Sequence, residues 1–257
     1  MAELVEVRRA QLARLVATRG FVRVTDASIQ FAVSDVTIRG DLSALEAAGL
    51  VVRVHGGAMP TSAVIANELS LEETRDVDAA AKRSIGIAAA QLVSSGQSIY
   101  VDAGSTGLAL ALALLERRDL HDVLVVTCSL TTALALEAGM PRFTVIVTGG
   151  TLRPLQHSLV NPFAIPMIDA LNLDLAFIGC NGVDATAGVT NVNLPEAEIK
   201  TRVMGRAKRR IVIADGTKLG LVDLAVIAPI GGFEVLVTAG EGDASPLEAA
   251  GIDVVRA

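Results

Sequence analysis

The sequence has 257 residues, of which 51% are hydrophobic, 19% are charged and only 3% are aromatic. This composition excludes a disordered chain and predicts globular domains with an aliphatic core. The net charge of −6 argues against simple nonspecific binding to nucleic acid.

Targeting segments and metal sites are not indicated. No N-terminal segment combines a basic start, an apolar run and a small-residue cleavage site, and the longest apolar runs are too short for a membrane span. Cys128 and Cys180 lack the spacing of a disulfide framework or a zinc site, and the three histidines are scattered. We therefore expect a cytoplasmic protein with no metal, no cofactor and no membrane partner.

Charge is distributed unevenly along the chain. Residues 1–58 contain seven arginines and six acidic residues, a net charge of +1, whereas residues 59–257 carry 15 basic and 22 acidic residues, a net charge of −7. This difference favours a division into two domains, because only the N-terminal piece has a field that is not anionic.

In chain order, the first 58 residues predict three helices followed by a β-hairpin. Apolar spacing and capping residues indicate one helix over 3–19 and a second over 25–32, and Ser34 begins the third. A β-branched run over 50–54 and a glycine-rich turn over 55–57 indicate the hairpin. This order is typical of a winged helix-turn-helix, which binds DNA.

The third helix has an apolar face and an opposite face of uncharged, mostly small residues. The apolar face is formed by Ile38, Leu42 and Leu45, and the opposite face by Val36, Gly40, Ser43 and Ala47. Small side chains let a helix sit deep in a groove of DNA, and Thr37 and Arg39 are placed for phosphates or base edges. The alternative is an ordinary surface helix on which Arg39 pairs with a nearby acid.

Several residues of this piece resemble the DeoR-type helix-turn-helix signature. They are Arg8, Leu12, Val16, the run SDVTIRGDL over 34–42, Leu45-Glu46, Gly49 and the run RVHGGA over 53–58. The resemblance implies duplex DNA as a partner. The candidate DNA-binding residues are Ser34, Asp35, Val36, Thr37, Arg39, Gly40, Ser43, Arg53 and His55.

Gly40 departs from the DeoR-type pattern, in which a second basic residue is usual at this position. The position faces away from the core, so one cationic contact with DNA is missing. We therefore predict weaker and less salt-dependent DNA binding than an arginine at position 40 would give.

The remainder predicts a linker and an α/β domain. We expect a linker over 59–78 and an effector-sensing and oligomerisation domain over 79–257. Strands are predicted over 98–103, 123–127, 143–148, 173–179, 210–214, 224–228 and 235–238. Helices are predicted over 79–93, 106–118, 130–138 and 195–207. Apolar strands that alternate with helices predict a parallel sheet covered on both faces.

Polar, glycine and charged residues recur where these strands end, which is where parallel sheets bind ligands. They are Asp102, Gly104, Ser105, Thr106, Ser129, Gly149, Gly150, Gly182, Asp184, Asp215 and Lys218. The stretch 104–106 precedes a helix, whose N-terminal amides favour a phosphate, and Arg153 and Lys218 supply cations. The alternative is that this stretch only caps the helix.

Glu196 and Lys200 are one helical turn apart. They form either an ion pair on a solvated face or part of the ligand pocket.

The C-terminal part resembles the sensor domain of the DeoR family. The matching residues are Asp102–Thr106, Gly149, Gly150, Arg153, Ser158, Pro162, Asp174, Gly182, Asp184, Gly188, Glu196, Lys200, Asp215 and Lys218. The resemblance implies an α/β protein in which an N-terminal winged helix-turn-helix is followed by a parallel-sheet α/β domain similar to ribose-phosphate isomerases. It also implies a phosphorylated sugar or related phosphometabolite as effector. Gly107 departs from the family, where a third hydroxyl residue is common.

Both parts together predict a transcriptional regulator, usually a repressor in this family, of a carbohydrate catabolism operon. We expect a homo-oligomer, a dimer or a tetramer, because helix-turn-helix proteins read paired half-sites. The alternative is a sugar-phosphate isomerase-like enzyme with an appended DNA-binding module, in which Glu196 is the candidate base. The neutral Asn181, in a loop that is acidic in isomerases of the similar fold, favours a protein that is not an enzyme.

Overall fold

The computed structural model describes residues 2–19, 22–48, 50–54, 56–60 and 68–257. The chain divides into two compact units, Met1–Glu68 and Leu69–Ala257, which we call the N-terminal unit and the C-terminal unit.

The N-terminal unit is a winged helix-turn-helix. Its elements are α1 (Ala2–Arg19), β1 (Val22–Arg23), α2 (Val24–Phe31), α3 (Asp35–Ala47), β2 (Val51–Val54) and β3 (Gly57–Pro60). The strands form an antiparallel sheet in the order β1-β3-β2. The small core includes Leu12 and Val16 of α1, Ile38 and Leu42 of α3, and Val51 of β2. The predicted apolar face of α3, formed by Ile38, Leu42 and Leu45, is therefore confirmed as buried.

The C-terminal unit combines a large sheet with helices on both faces. Its helices are α4 (Leu71–Asp76), α5 (Ala79–Ala90), α6 (Ser105–Glu116), α7 (Leu130–Leu136), α8 (Ala164–Asp169), α9 (Leu194–Met204) and α10 (Ser245–Ala249). Its strands are β4 (Ser98–Val101), β5 (Val123–Thr127), β6 (Phe143–Val147), β7 (Thr151–Arg153), β8 (Ser158–Val160), β9 (Leu173–Gly179), β10 (Gly182–Asp184), β11 (Gly188–Asn191), β12 (Ala207–Ile213), β13 (Ala225–Ala228), β14 (Val235–Thr238) and β15 (Asp253–Arg256).

Seven of these strands form one parallel sheet in the order β15-β14-β12-β9-β4-β5-β6. Successive side chains of β4 alternate between two cores: Ile99 and Val101 pack on the side of α5 and α6, and Tyr100 packs on the side of α8 and α9. Both faces are therefore apolar and covered, as the continuous apolar runs predicted. The carboxyl ends of the strands share one edge, where the polar loops lie.

The strand predicted over 224–228 does not join this sheet. It is β13, which pairs antiparallel with β11 in a smaller sheet of order β10-β11-β13. Val226 is exposed between the buried Ala225 and Ile227, the alternation of a strand with one solvated face. A parallel crossover from β12 also needs a helix, and only a 3-10 turn over Gly216–Lys218 precedes β13.

Part of the range predicted as a linker is helical. Helix α4 begins with a capping box, in which the Ser70 hydroxyl accepts from the Glu73 backbone amide and the Glu73 carboxylate accepts from the Ser70 backbone amide.

None of the helices among the described residues is both long and apolar enough to cross a bilayer.

Candidate DNA-binding face and effector site

The start of α3 is fixed by a side-chain cap. The Ser34 hydroxyl accepts from the Thr37 amide at 3.2 Å and lies 2.9 Å from the Thr37 hydroxyl. Asp35 stands in the first turn, where a negative charge interacts favourably with the helix dipole. The cap sets where the helix starts, and therefore which residues its outer face presents.

The outer face of α3 is open. Val36 is 78% exposed, Arg39 and Gly40 are exposed, and a Cβ at Gly40 would meet no atom within 4 Å. Within the described residues, Arg39 contacts no acid. The buried Asp41 instead accepts from Arg8 at 2.6 Å and from Arg9 at 2.9 Å.

The wing contributes one further cation to this face. The Arg53 guanidinium on β2 donates to the Ser43 hydroxyl at 2.6 Å, which in turn donates to the Arg39 carbonyl oxygen at 2.9 Å. The helix and the wing are thus connected next to Arg39. His55, also a candidate DNA-binding residue, lies outside the described residues.

At the edge of the large sheet, Asp102 follows β4 and is buried against the end of β9. Its carboxylate accepts from the amides of Ala103 and Gly179, both at 2.9 Å, and lies 3.1 Å from the Lys200 ammonium. Burial raises the pKa of Asp102, although the charge of Lys200 opposes this shift. Asp102 therefore joins two strands and α9 under the polar loops.

A buried network extends from Lys200 to the β7–β8 hairpin. The Lys200 ammonium donates to Asn191 at 2.8 Å, and the Asn191 amide donates to Glu196 at 3.4 Å. The Glu196 carboxylate also accepts from the Ser158 hydroxyl at 2.6 Å and from the Arg153 guanidinium. Burial disfavours the charged form of Glu196, but Arg153 and Lys200 lower its pKa overall.

This network excludes one of the two sequence-based interpretations of Glu196 and Lys200, the ion pair on a solvated face. Glu196 and Lys200 are buried and do not form a solvated surface pair, because each is bonded to residues from other strands. Arg153 is buried and bonded to Glu196, and its role in effector binding stays a prediction. These side chains hold the sheet edge and the hairpin together.

The loop between β4 and α6 contains Gly104, Ser105 and Thr106, which the sequence predicts as effector-binding residues. Gly104 has φ of +104°, which turns the chain into α6, and Ser105 lines a cavity of about 740 Å³. The Thr106 hydroxyl is buried and finds no hydrogen-bond partner in the described chain. A Cβ at Gly107 would lie 2.1 Å from the Asp102 carbonyl oxygen, which explains why a hydroxyl residue does not occupy this position.

Lys218 supplies the half-buried cation of this edge. Its ammonium lies 3.6 Å from the buried Asp215 carboxylate, which also accepts from the Thr217 amide at 3.2 Å. Burial raises the pKa of the Cys180 thiol to about 11, with Lys218 and Lys200 opposing the shift and Asp215 and Asp102 adding to it. The four charges thus converge around one buried thiol.

The other candidate residues serve turns and caps. The Ser129 hydroxyl caps α7 by accepting from the Thr132 amide at 3.1 Å, and Asp184 accepts from the amides of its own hairpin turn. At Gly150 and Gly182, a Cβ would overlap a backbone oxygen, whereas Gly149 has only a side-chain neighbour at 3.3 Å. Nothing in these contacts directs the side chain of Ser129 or Asp184 to a ligand.

Comparison with known proteins decides the family. A DeoR-like helix-turn-helix domain matches residues 8–63, and a DeoR C terminal sensor domain matches residues 77–239. The HTH-type transcriptional regulator GlpR of Haloferax volcanii is 32% identical over 251 residues, which cover 96% of each chain. The chain belongs to the DeoR family. The resemblance found in the sequence is confirmed for both units.

Two further matches involve sugar-related proteins. The lactose phosphotransferase system repressor of Streptococcus mutans is 28% identical to this DeoR-family chain over 91% of both chains. Ribose 5-phosphate isomerase A from Methanocaldococcus jannaschii is 20% identical, with 54% of this chain and 53% of its own covered and a TM-score of 0.39. A TM-score this low supports no conclusion about activity.

Three residues of this DeoR-family chain were absent from the candidate site residues. Ser158 and Asn191 belong to the buried network, and Lys82 lines the same cavity as Ser105. The sequence carries a signal for Lys82, because it shares the spacing of the buried Ile85 and Ala89 on α5. Asn191 carries a weaker signal, a polar residue that ends an apolar strand.

Proposed function

We propose that this DeoR-family regulator is a repressor of a carbohydrate-utilisation operon and that a phosphorylated sugar releases it from DNA. Helix α3 enters a groove of duplex DNA with Arg39 and Thr37 at its start, and Arg53 contacts the neighbouring backbone. The open face at Gly40 and Val36 supports this part, because among the described residues a Cβ at Gly40 meets no atom within 4 Å and Val36 is 78% exposed.

The observation that carries the effector assignment is the loop at the start of α6. Three of its features favour an anion: the free amides of a helix N-terminus, the unpartnered buried hydroxyl of Thr106, and the cavity that Ser105 lines. Lys218, which is only partly buried, provides the counter-charge. A helix N-terminus and a cation at one edge of the sheet together favour a phosphate.

The printed name of the Streptococcus mutans relative, a repressor of a sugar phosphotransferase system, supports control of sugar metabolism. We further propose that the protein acts as a homo-oligomer, since two recognition helices are needed to read two half-sites.

The isomerase-like alternative receives no support from the site. Its candidate base, Glu196, is buried, bonded to Arg153 and Ser158, and has a lowered pKa. A general base must reach the substrate and be free to accept a proton. The lowered pKa makes Glu196 a weak base, and its bonds to Arg153 and Ser158 occupy its carboxylate.

Thermal unfolding in the presence of phosphorylated and unphosphorylated sugars tests the effector class. A ligand at 100 times its Kd stabilises the native protein by about 2.7 kcal/mol, so the true effector raises the melting temperature. Lys218→Ala abolishes this rise, whereas Lys208→Ala, at an exposed lysine on the same unit, keeps it. A rise produced equally by unphosphorylated sugars contradicts the proposed class.

A further inference from the structure

Helix α4 is held at both ends by elements of the C-terminal unit. At its start, the Leu71 amide donates to the Leu155 carbonyl oxygen at 2.8 Å, and the Gln156 side chain donates to the Leu69 carbonyl oxygen at 2.7 Å. Both partners lie between β7 and β8, the hairpin that the buried network anchors. At its end, the ammonium of one lysine from α5 donates to carbonyl oxygens that have no hydrogen-bond partner within α4.

That lysine is Lys82. Its ammonium donates to the Thr74 carbonyl oxygen at 2.6 Å and to the Val77 carbonyl oxygen at 2.5 Å. These carbonyls belong to the last turn of α4, whose acceptors have no partner within the helix. An ammonium has three N–H donors, and the third N–H of Lys82 finds no acceptor in the part of the chain that the structure describes.

Lys82 is a buried charge with an incomplete set of partners. Only 4% of the residue is exposed, and it lies on the apolar face of α5. Burial and the charge of Lys218 lower its pKa, while Asp215 and Asp78 oppose the shift. The pKa of Lys82 is thus affected by one neighbouring cation, Lys218, and by two carboxylates, Asp215 and Asp78.

The surroundings connect Lys82 with the candidate anion site. Lys82 and Ser105, the first residue of α6, line the same cavity of about 740 Å³. A Cβ at Gly240 would contact Ala81 and Asp78 of the α5 start at 3.4 Å and lie 3.9 Å from the Gly216 amide. The first turn of α5 thus packs against the turn that carries Asp215 and Lys218.

We propose that Lys82 binds the effector's anionic group with its third N–H and thereby connects the bound anion to the last turn of α4. This inference rests on the proposed function, because it assumes an anion at the start of α6. A phosphate there accepts from the third N–H of Lys82 and places a negative charge beside the two lysines, Lys82 and Lys218. Anion binding therefore stabilises α4, the first helix after the segment that leads from the N-terminal unit.

This arrangement gives a route for regulation. If an ordered α4 increases the affinity for the ligand, then binding of the ligand stabilises the ordered state of α4 by the same factor. In the sequence, α4 follows the segment that leads to the DNA-binding unit, so ordering of α4 acts at the C-terminal end of that segment.

Hydrogen exchange of the full-length chain, with inorganic phosphate as the probe, tests the inference. Phosphate slows exchange of the amides over 71–77 in the wild type and in Lys82→Arg, which keeps the charge. Lys82→Met binds phosphate about tenfold more weakly, as expected for the loss of one charge-assisted hydrogen bond, and at saturation leaves the exchange of α4 unchanged. Lys82→Gln, a polar variant that preserves folding if methionine does not, gives the same result as Lys82→Met.

The outcomes separate this inference from the proposed function. If Lys218→Ala abolishes phosphate binding but Lys82→Met binds as tightly as the wild type, the anion site stands and the role of Lys82 is wrong. The same holds if phosphate slows α4 exchange equally in Lys82→Met and the wild type. If the wild type binds neither phosphate nor any phosphorylated sugar, both proposals fail.

Discussion

The carbonyl oxygen of Asp102 lies 2.1 Å from where a Cβ on Gly107 would stand. Gly107 is in the first turn of α6, so the return of the chain from β4 into the helix requires a residue without a side chain at this point. The backbone of the loop between β4 and α6 is therefore fixed by one glycine and one buried aspartate.

Gly107→Ala tests this relationship. The added methyl group must displace the Asp102 backbone, which costs about 1–3 kcal/mol of unfolding free energy, as for other overpacked sites, and removes the stabilisation by phosphate. Gly231→Ala is the matched control, because a Cβ there meets no atom within 4 Å. Equal unfolding free energies for the two variants in urea would show that the loop tolerates a side chain at 107.

Arg39→Ala tests the DNA-binding face. The guanidinium is exposed and contacts no acid among the described residues, so its loss weakens binding to a selected operator by about 10- to 100-fold, the range for one specific base contact. Sugar-phosphate stabilisation is unchanged. Arg118→Ala, which removes an exposed arginine from the C-terminal unit, leaves the operator affinity intact in the same fluorescence-anisotropy titration. Unaltered affinity in Arg39→Ala would rule out this face.

Gly40→Arg tests the departure from the family pattern. The position is open, so an arginine fits without strain. The affinity for DNA rises, and the slope of log affinity against log salt steepens by about 0.9, the value for one added phosphate contact. Gly40→Ala separates the effect of charge from that of helix propensity, because it adds no charge and stabilises the helix by about 1 kcal/mol. A slope common to all three proteins would contradict the prediction.

Asp41 makes the stability of the N-terminal unit sensitive to acid. Burial opposes its ionisation, yet the bonds from Arg8 and Arg9 lower its pKa below the ordinary value. A carboxylate with a lowered pKa stabilises the folded state above its unfolded pKa of about 3.9 and loses this contribution as pH falls through the folded pKa. Asp41→Asn therefore lowers the melting temperature at pH 7, and its difference from the wild type shrinks as the pH falls below 4. A constant difference from pH 7 to pH 3 would contradict this.

The sequence predicted those elements whose capping residues and hydropathy pattern agree with the way they are buried in the structure. The bounds of β5, β9 and β14 match the predicted ranges 123–127, 173–179 and 235–238, because each strand is mostly apolar and lies between polar loops. The start of α3 follows from the cap at Ser34. The antiparallel β13 was misassigned because four apolar or small residues in a row do not specify which sheet they join.

The site was less predictable, since its contacts join residues that are distant in the chain. Glu196 and Lys200 have the spacing of a helical ion pair, but Glu196 bonds to Arg153 and Lys200 to Asp102. Local spacing cannot reveal such partners, because only the order of strands in the sheet brings them together. The DNA-binding and effector-binding roles of the candidate residues stay predictions.

Release of DNA by a phosphorylated sugar is the measurement that tests the central claim most directly. Duplexes selected from a random pool by the wild-type protein provide the operator, and fluorescence anisotropy follows the complex while the stabilising sugar phosphate is added. The account predicts that the sugar phosphate dissociates the wild-type complex and that Lys218→Ala stays bound at the same concentrations. Dissociation of the Lys218→Ala complex at the wild-type concentration would contradict it.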